Sequence, residues 1–238
     1  MKKNAFFLLI ISLCILGCKS KNNLSAISEP HSIGIDLSKP ERPYFSKYKE
    51  MIGRQPPIPT TSYKSGIAQR YMRERIIAPL QAIDGLTVEE VMEEYNSRLA
   101  KITISTDFLF NSMSPRLTDR GSELLRQIAQ LLDANPHTVV MIICHCEYSS
   151  FQNRTLLTQA RAESIAEVLT GMGVAQERIL DPMGCGDEWP VANNNTSVGR
   201  KENRRAEIFI CPAKSLYEKI LNDEIRLENG RLRTDSEQ

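Results

Sequence analysis

The chain has 238 residues, 41% of them hydrophobic, and its 30 lysines and arginines stand against 29 aspartates and glutamates for a net charge of +1. A balance this even builds no basic field of the kind that nucleic acid selects, so neither DNA nor RNA is an expected partner. With a leader and a polar tether set aside, about two hundred residues remain, enough for one well-cored domain with accessory segments and hardly enough for two large ones.

Lys2 and Lys3 precede an apolar run from Ala5 to Gly17. It is too short for a comfortable membrane span and has the shape of a secretory signal core. The run stops at Ile15-Leu16-Gly17-Cys18, which resembles the lipobox of bacterial lipoproteins. That resemblance implies a signal peptide over 1–17, cleavage before Cys18, and lipidation of its thiol with palmitate-type acyl chains that hold the mature protein to a membrane. The next residues, Lys19-Ser20-Lys21-Asn22-Asn23, carry no acid. In lipoproteins the lack of an aspartate after the cysteine is similar to outer-membrane sorting, so the expected location is the outer membrane with the domain facing the periplasm.

Residues 18–65 read as a lipidated tether and linker, because Pro40, Pro43, Pro56, Pro57 and Pro59 block regular structure. Two accessory helices are expected within 66–100. Ile67 to Leu80 has helical spacing, and so does Thr87 to Leu99, where Thr87 and Glu90 stand as an N-cap residue and its glutamate three positions on.

The main domain is expected over 101–212. Ile102, Ile104, Phe108 and Phe110 alternate with a period of two, the mark of a strand. Thr118 then opens a helix whose Leu124, Leu125, Ile128, Leu131 and Leu132 draw one stripe, ended by Asn135-Pro136. The run TVVMIIC from Thr138 to Cys144 predicts a central strand covered on both faces. A second helix is predicted from about Arg154 to Met172, where glycines stop it. RILDPMG and RRAEIFI give a short third strand and a fourth. The order predicts an α+β fold, a two-layer α/β sandwich in which βαβαββ elements set helices on a mixed four-stranded sheet. Residues 213–238 are expected as an amphipathic helix carrying Leu216, Ile220, Leu221 and Ile225, followed by a charged tail.

Within the second helix Leu157, Arg161 and Ile165 recur every fourth residue, which places an arginine in the apolar stripe. A buried charge needs a partner, either inside the protein or brought to it.

Lys101 to Pro212 resembles the OmpA-like C-terminal domain, the module also found in the peptidoglycan-associated lipoprotein. The likeness rests on Phe110-Asn111-Ser112, on Cys144-His145-Cys146-Glu147 in place of G-H-T-D, and on Leu157-Thr158-Gln159-Ala160-Arg161-Ala162 in place of L-S-x-x-R-A. It extends to Gly184-Cys185-Gly186 with Pro190, and to Asn195, Gly199, Arg200, Asn203, Arg204 and Arg205. The family grips the peptidoglycan stem peptide at its meso-diaminopimelate, whose free end is a zwitterion. The resemblance therefore implies a wall-binding anchor that is not an enzyme and needs no cofactor. By position, Arg161 would fork onto the ligand carboxylate and Glu147 would receive its ammonium. Asn111, His145, Cys146 and Arg204 complete the expected ligand-binding set, and Asn203 to Arg205 are expected to brace an Asn-rich loop. The sequence departs from the pattern where a glutamate replaces aspartate, where cysteines flank His145, and where the loop between Glu147 and Arg161 is one residue short.

Other readings stay open at this stage. Arg161 could close an internal pair with Glu147. The fold could serve as a protein-interaction module for an envelope partner, with wall binding lost. A metal or redox protein would have to use Cys144, Cys146, Cys185 and Cys211, whose spacing matches no common zinc pattern. His145, Cys146 and Glu147 are the one cluster that could carry catalysis. Adjacent strand residues diverge, so no common reacting atom is expected between them.

Overall fold

The computed structural model describes residues 62–92, 98–148 and 153–235. The expected signal over 1–17, the lipidation site Cys18 and the tether as far as residue 61 lie outside the described residues, while 62–65, expected as linker, are helical. Among the described residues no helix is long and apolar enough to cross a membrane.

The first stretch is helical from Ser62 to Gln81, in three parts: α1 (Ser62–Tyr71), a π-helical segment (Met72–Ile77) and α2 (Ala78–Gln81). Pro79 accounts for the middle part. It has no N–H, and its ring crowds the carbonyl four residues earlier, so the preceding turn widens. Ile67, Tyr71, Met72, Ile76, Ile77 and Leu80 are buried in the same core as the sheet.

The next expected helix is not there. Thr87–Met92 is strand β1, antiparallel to β2 (Arg98–Ser105), with Thr87 opposite Thr103. Glu90, which suggested a capping box, forms an ion pair with Arg98 instead, and Glu89 reaches Lys101 at 3.5 Å. Cross-strand charge pairs and the β-branched Thr87, Val88 and Thr103 favour pairing, and tertiary context overrides a local cap signal.

β2 also stops earlier than its period suggests. The side chain of Ser105 accepts from the Asp107 N–H and caps a single helical turn, α3 (Thr106–Leu109). Phe108 is therefore exposed, while Phe110 is buried and bridges to Leu117. Helix α4 (Asp119–Asp133) begins as expected, with Thr118 Oγ1 accepting from Gly121 N–H at 2.9 Å. It buries Leu124, Leu125, Ile128, Ala129 and Leu132.

Strand β3 (Thr138–Cys144) is buried at every position, and helix α5 (Arg154–Gly171) packs on it and on α4. The expected third strand shrinks to β4 (Met183–Gly184), with Ile179 bridging Val140 beside it. A short helix α6 (Ser197–Asn203) leads into β5 (Arg205–Pro212). The sheet runs β1-β2-β5-β3-β4, with β3 and β4 parallel and the other neighbours antiparallel. The fold is a mixed α+β sheet with helices, as expected, but it has five strands because β1 adds an edge.

The C-terminal segment differs as well. Its helix α7 (Lys214–Leu221) ends four residues before Ile225, which instead opens the hairpin β6 (Ile225–Glu228) and β7 (Arg231–Thr234). Asn229 and Gly230 turn it at φ 51° and 73°, the conformation of a tight type I′ connection.

Candidate functional site

Arg161 lies on the buried face of α5 with Thr158, Ala162 and Ile165. Only 5% of the residue is exposed. Its Cζ sits 5.1 Å from the centroid of the Phe110 ring, and its Nε donates to the carbonyl of Ser114 at 3.0 Å. Among the described residues no carboxylate closes on it as an ion pair. Burial pulls the guanidinium below its ordinary pKa, opposed near neutrality by the carboxylate charges of Asp107 and Glu147. An arginine remains a cation under such a shift.

The turn from Asn111 to Arg116 fixes the Ser114 carbonyl. Asn111 N–H donates to Arg116 at 3.0 Å, and its own carbonyl accepts from Ser114 N–H at 3.1 Å. Asn111 is exposed and shapes this turn with its backbone.

Glu147 follows the end of β3. It does not meet Arg161; its partner is Arg204, Nη1 to Oε1 at 3.4 Å. Arg204 is held from the other side by Asp107 through three contacts, Nε to Oδ1 at 2.9 Å, Nε to Oδ2 at 3.1 Å and Nη2 to Oδ2 at 2.7 Å. The hydrogen bond with Arg204 holds the Asp107 carboxyl below its ordinary range and raises Arg204 in turn. Asp107 belongs to no motif of the sequence, and it reaches the site because α3 bends the chain back at the end of β2. The group thus carries two cations, Arg161 and Arg204, and two acids, Asp107 and Glu147.

Gly184 and Gly186 seat the loop behind Arg161. Gly184 N–H donates to Gln159 Oε1 at 2.8 Å, and a Cβ on Gly184 would stand 2.0 Å from the Gln159 nitrogen. Gly186 takes φ +53° and donates to Thr158 Oγ1 at 3.0 Å. Cys146 N–H in turn donates to Gly186 at 2.7 Å, tying the Glu147 strand end to this loop.

His145 is not brought to the Arg161 side. Strand alternation turns it to the opposite face, fully buried, with Nδ1 3.2 Å from the Glu188 carbonyl and its ring edge-on to Trp189. Its Nε2 lies 3.6 Å from Glu207, beyond hydrogen-bond length. Burial lowers its pKa, so the imidazole stays neutral.

Asn203 braces the Asn-rich loop. It is fully buried, accepts from Val191 N–H at 2.8 Å and Ala192 N–H at 3.0 Å, and donates to the Ala192 carbonyl and to Asn194 at 2.9 Å each. Arg205 belongs to the opposite face, 2.9 Å from Glu207.

The four cysteines do not converge. Cys144 is opposite Ala206 while Cys211 is opposite Val139, five residues along β5, a separation of about 17 Å at strand rise. Among the described residues no group of three or more His, Cys, Asp and Glu is placed to hold a metal ion. Burial pushes the Cys144 thiol up to about 12 and the Cys146 thiol to about 11, the reverse of what a reactive thiolate needs. A cavity of about 300 Å³ lined by Tyr71, Arg75, Asn135, His137, Lys219 and Glu224 sits at the start of β3, so it is a strand length away from Glu147.

Residues 109–204 match the OmpA family. "Probable lipoprotein YiaD" of Escherichia coli is 32% identical over 112 residues, which cover 47% of this chain and 51% of that protein. "Outer-membrane lipoprotein YfiB" of Pseudomonas aeruginosa is 32% identical over 133 residues, 53% of this chain and 79% of that one. "Peptidoglycan-binding protein ArfA" of Mycobacterium tuberculosis is 34% identical over 102 residues, 42% of this chain and 31% of that one. The chain spans about half the length of the first curated relatives it matches. With the glycine-seated loop and the Asn203 brace falling on the positions the sequence blocks marked out, the chain belongs to the OmpA family.

Proposed function

We propose that this protein is a non-enzymatic envelope anchor whose domain binds peptidoglycan at the diaminopimelate of its stem peptide. Arg161 takes the ligand carboxylate and Glu147 its ammonium. The observation that carries this reading is a guanidinium that is buried and aimed, tied at Nε by Ser114 and backed by Phe110, with no described carboxylate closing on it. A cation held this way has already lost its side-chain freedom, so less affinity goes to ordering it when a carboxylate arrives. The acid that would complete a zwitterion receptor stands at the neighbouring strand end, exposed enough to exchange its partner. Asn111 and Cys146 border the same group, Asn111 through the turn that presents Ser114. The names of two relatives, one an outer-membrane lipoprotein and one a peptidoglycan-binding protein, agree with the reading.

The membrane half of the anchor is the lipid on Cys18 after removal of residues 1–17, with 18–61 as the tether to the outer membrane. It is supported by the sequence alone, from Lys2 and Lys3 to Gly17-Cys18.

Co-sedimentation with purified diaminopimelate-type sacculi tests the wall half. Wild type is expected in the pellet and Arg161→Ala in the supernatant. Equal sedimentation of the two removes Arg161 from the site and the reading with it. For the lipid half, Cys18→Ser is expected to release the protein from the membrane fraction, and retention there would count against lipidation.

A further inference from the structure

We propose that Arg204 is an internal competitor at this site: its guanidinium occupies Glu147 and must be displaced by the ammonium of any ligand that uses that acid. The inference rests on the wall-receptor reading and adds to it a residue that sets the threshold for entry.

Two asymmetries carry it. The first is between the two acids that share Arg204. Asp107 holds it through a fork of three contacts between 2.7 and 3.1 Å, whereas Glu147 touches it once, at 3.4 Å. A bidentate fork is the strong geometry, and a single long contact between partly exposed groups is weak. Arg204 therefore stays on Asp107 whether or not Glu147 remains with it. The electrostatics agree, since the hydrogen bond that Arg204 donates to Asp107 is the leading influence on it and Glu147 comes after.

The second asymmetry is between the two cations. Arg204 already has two acids, while Arg161 has none within ion-pair reach among the described residues. An incoming carboxylate can join Arg161 without disturbing anything. An incoming ammonium cannot join Glu147 without breaking, or sharing, the Arg204 contact. Ligands that enter through the ammonium bear that cost, and ligands that use the carboxylate alone do not.

The rival arrangement makes Arg204 a second clamp for the ligand carboxylate. The two predict opposite signs. If Arg204 competes, Arg204→Gln removes the internal cation and binding tightens, by about threefold for a contact of this exposure. If Arg204 is a clamp, the same substitution weakens binding.

The test is a calorimetric titration of wild type, Arg204→Gln and Arg161→Ala. Two probes are used: a diaminopimelate muropeptide, and the same muropeptide with its free side-chain amine acetylated. The expected result is tighter binding of the free-amine probe by Arg204→Gln, with no change for the acetylated one. Weaker or unchanged binding of the free-amine probe, or equal tightening of both probes, overturns the inference. Should wild type fail to bind, binding gained by Arg204→Gln supports competition, and no gain rejects it. Loss of binding in Arg161→Ala without a gain in Arg204→Gln leaves the receptor reading standing and removes only this one. Arg204→Met, which keeps the apolar stem, repeats the measurement if the glutamine variant melts early.

Discussion

The backbone N–H of Gly186 donates to Thr158 Oγ1 at 3.0 Å, one helical turn before Arg161. Thr158 is fully buried and its hydroxyl also donates back to the carbonyls of Arg154 and Thr155, so one side chain joins the glycine loop to the helix that aims the arginine. Thr158→Val keeps the shape and removes the acceptor. The Gly186 N–H is then left buried and unpaired, which costs about 1–3 kcal/mol. Urea denaturation should show that loss, and muropeptide binding should weaken with it because the loop also holds Cys146, beside Glu147. A variant as stable as wild type would show that the hydroxyl is not what seats the loop.

Arg161→Met is expected to separate stability from binding. The substitution gives up the Ser114 hydrogen bond and the Phe110 contact, and it also removes a desolvated charge. Replacing a buried cation by an apolar side chain of similar length is often neutral or stabilising. The thermal midpoint should hold or rise while muropeptide affinity falls at least tenfold, the scale of a lost charge-assisted pair, about 1.4 kcal/mol or more. A variant that unfolds would mark Arg161 as a structural residue.

On the opposite face, Glu207 is fully buried beside Arg205 at 2.9 Å, with Lys101 and His145 each 3.6 Å away. Burial works to raise its pKa, but His145, Arg205 and Lys101 outweigh it and hold the carboxyl below its ordinary value of 4.5. A carboxyl depressed in the folded state contributes stability above its ordinary value, and loses it as the pH falls toward the folded one. Glu207→Gln should therefore cost about 3–5 kcal/mol at neutral pH, because it strands Arg205 as a buried charge. The gap between variant and wild type should narrow below the ordinary value of 4.5. Denaturant titrations at neutral and acid pH measure it, and a gap that widens in acid would contradict the assignment.

The thiols give a chemical check on burial. Cys144, at about 12, and Cys146, at about 11, carry almost no thiolate near neutrality. Under native conditions at neutral pH both should react slowly with a maleimide or an aromatic disulfide. Cys146, which is half-buried, should speed up as the pH rises, and Cys144 only on unfolding. Fast labelling of Cys144 in the folded protein would mean that the β3 end opens readily.

Periodic signals translated well into elements. The Leu124 to Leu132 stripe, the Thr118 cap and the unbroken apolar run of β3 each follow from one local rule, and each stands where that rule put it. Short-range signals with a long-range competitor did not. The capping-box spacing at Thr87 and Glu90 lost to Arg98 and Lys101 on the neighbouring strand, a pairing invisible until β2 is laid beside it. Asn229-Gly230 was the available sign of the terminal hairpin, outweighed by the helical spacing of Leu216, Ile220 and Ile225. At the site, Glu147, Arg161 and Arg204 fall in one neighbourhood because their motif blocks fix the end of β3, the buried face of α5 and the start of β5. Asp107 had no such block. Its place depends on Ser105 ending a strand and turning the chain, a matter of one hydroxyl and one N–H.

The helical stretch from Ser62 to Gln81 has a mechanical consequence. Tension drawn along the chain from its N-terminal side enters the described structure at α1, whose Lys64 reaches the Leu221 carbonyl and Asp223. A helix loaded at its end peels away residue by residue, while β2 and β5 lie hydrogen-bonded edge to edge over six residue pairs farther in. Arg161 stands on α5, which packs on β3, the strand on the far side of β5 from β2. On the proposed wall-binding reading, the N-terminal helix would yield under load as a shock absorber before the grip on a ligand is disturbed.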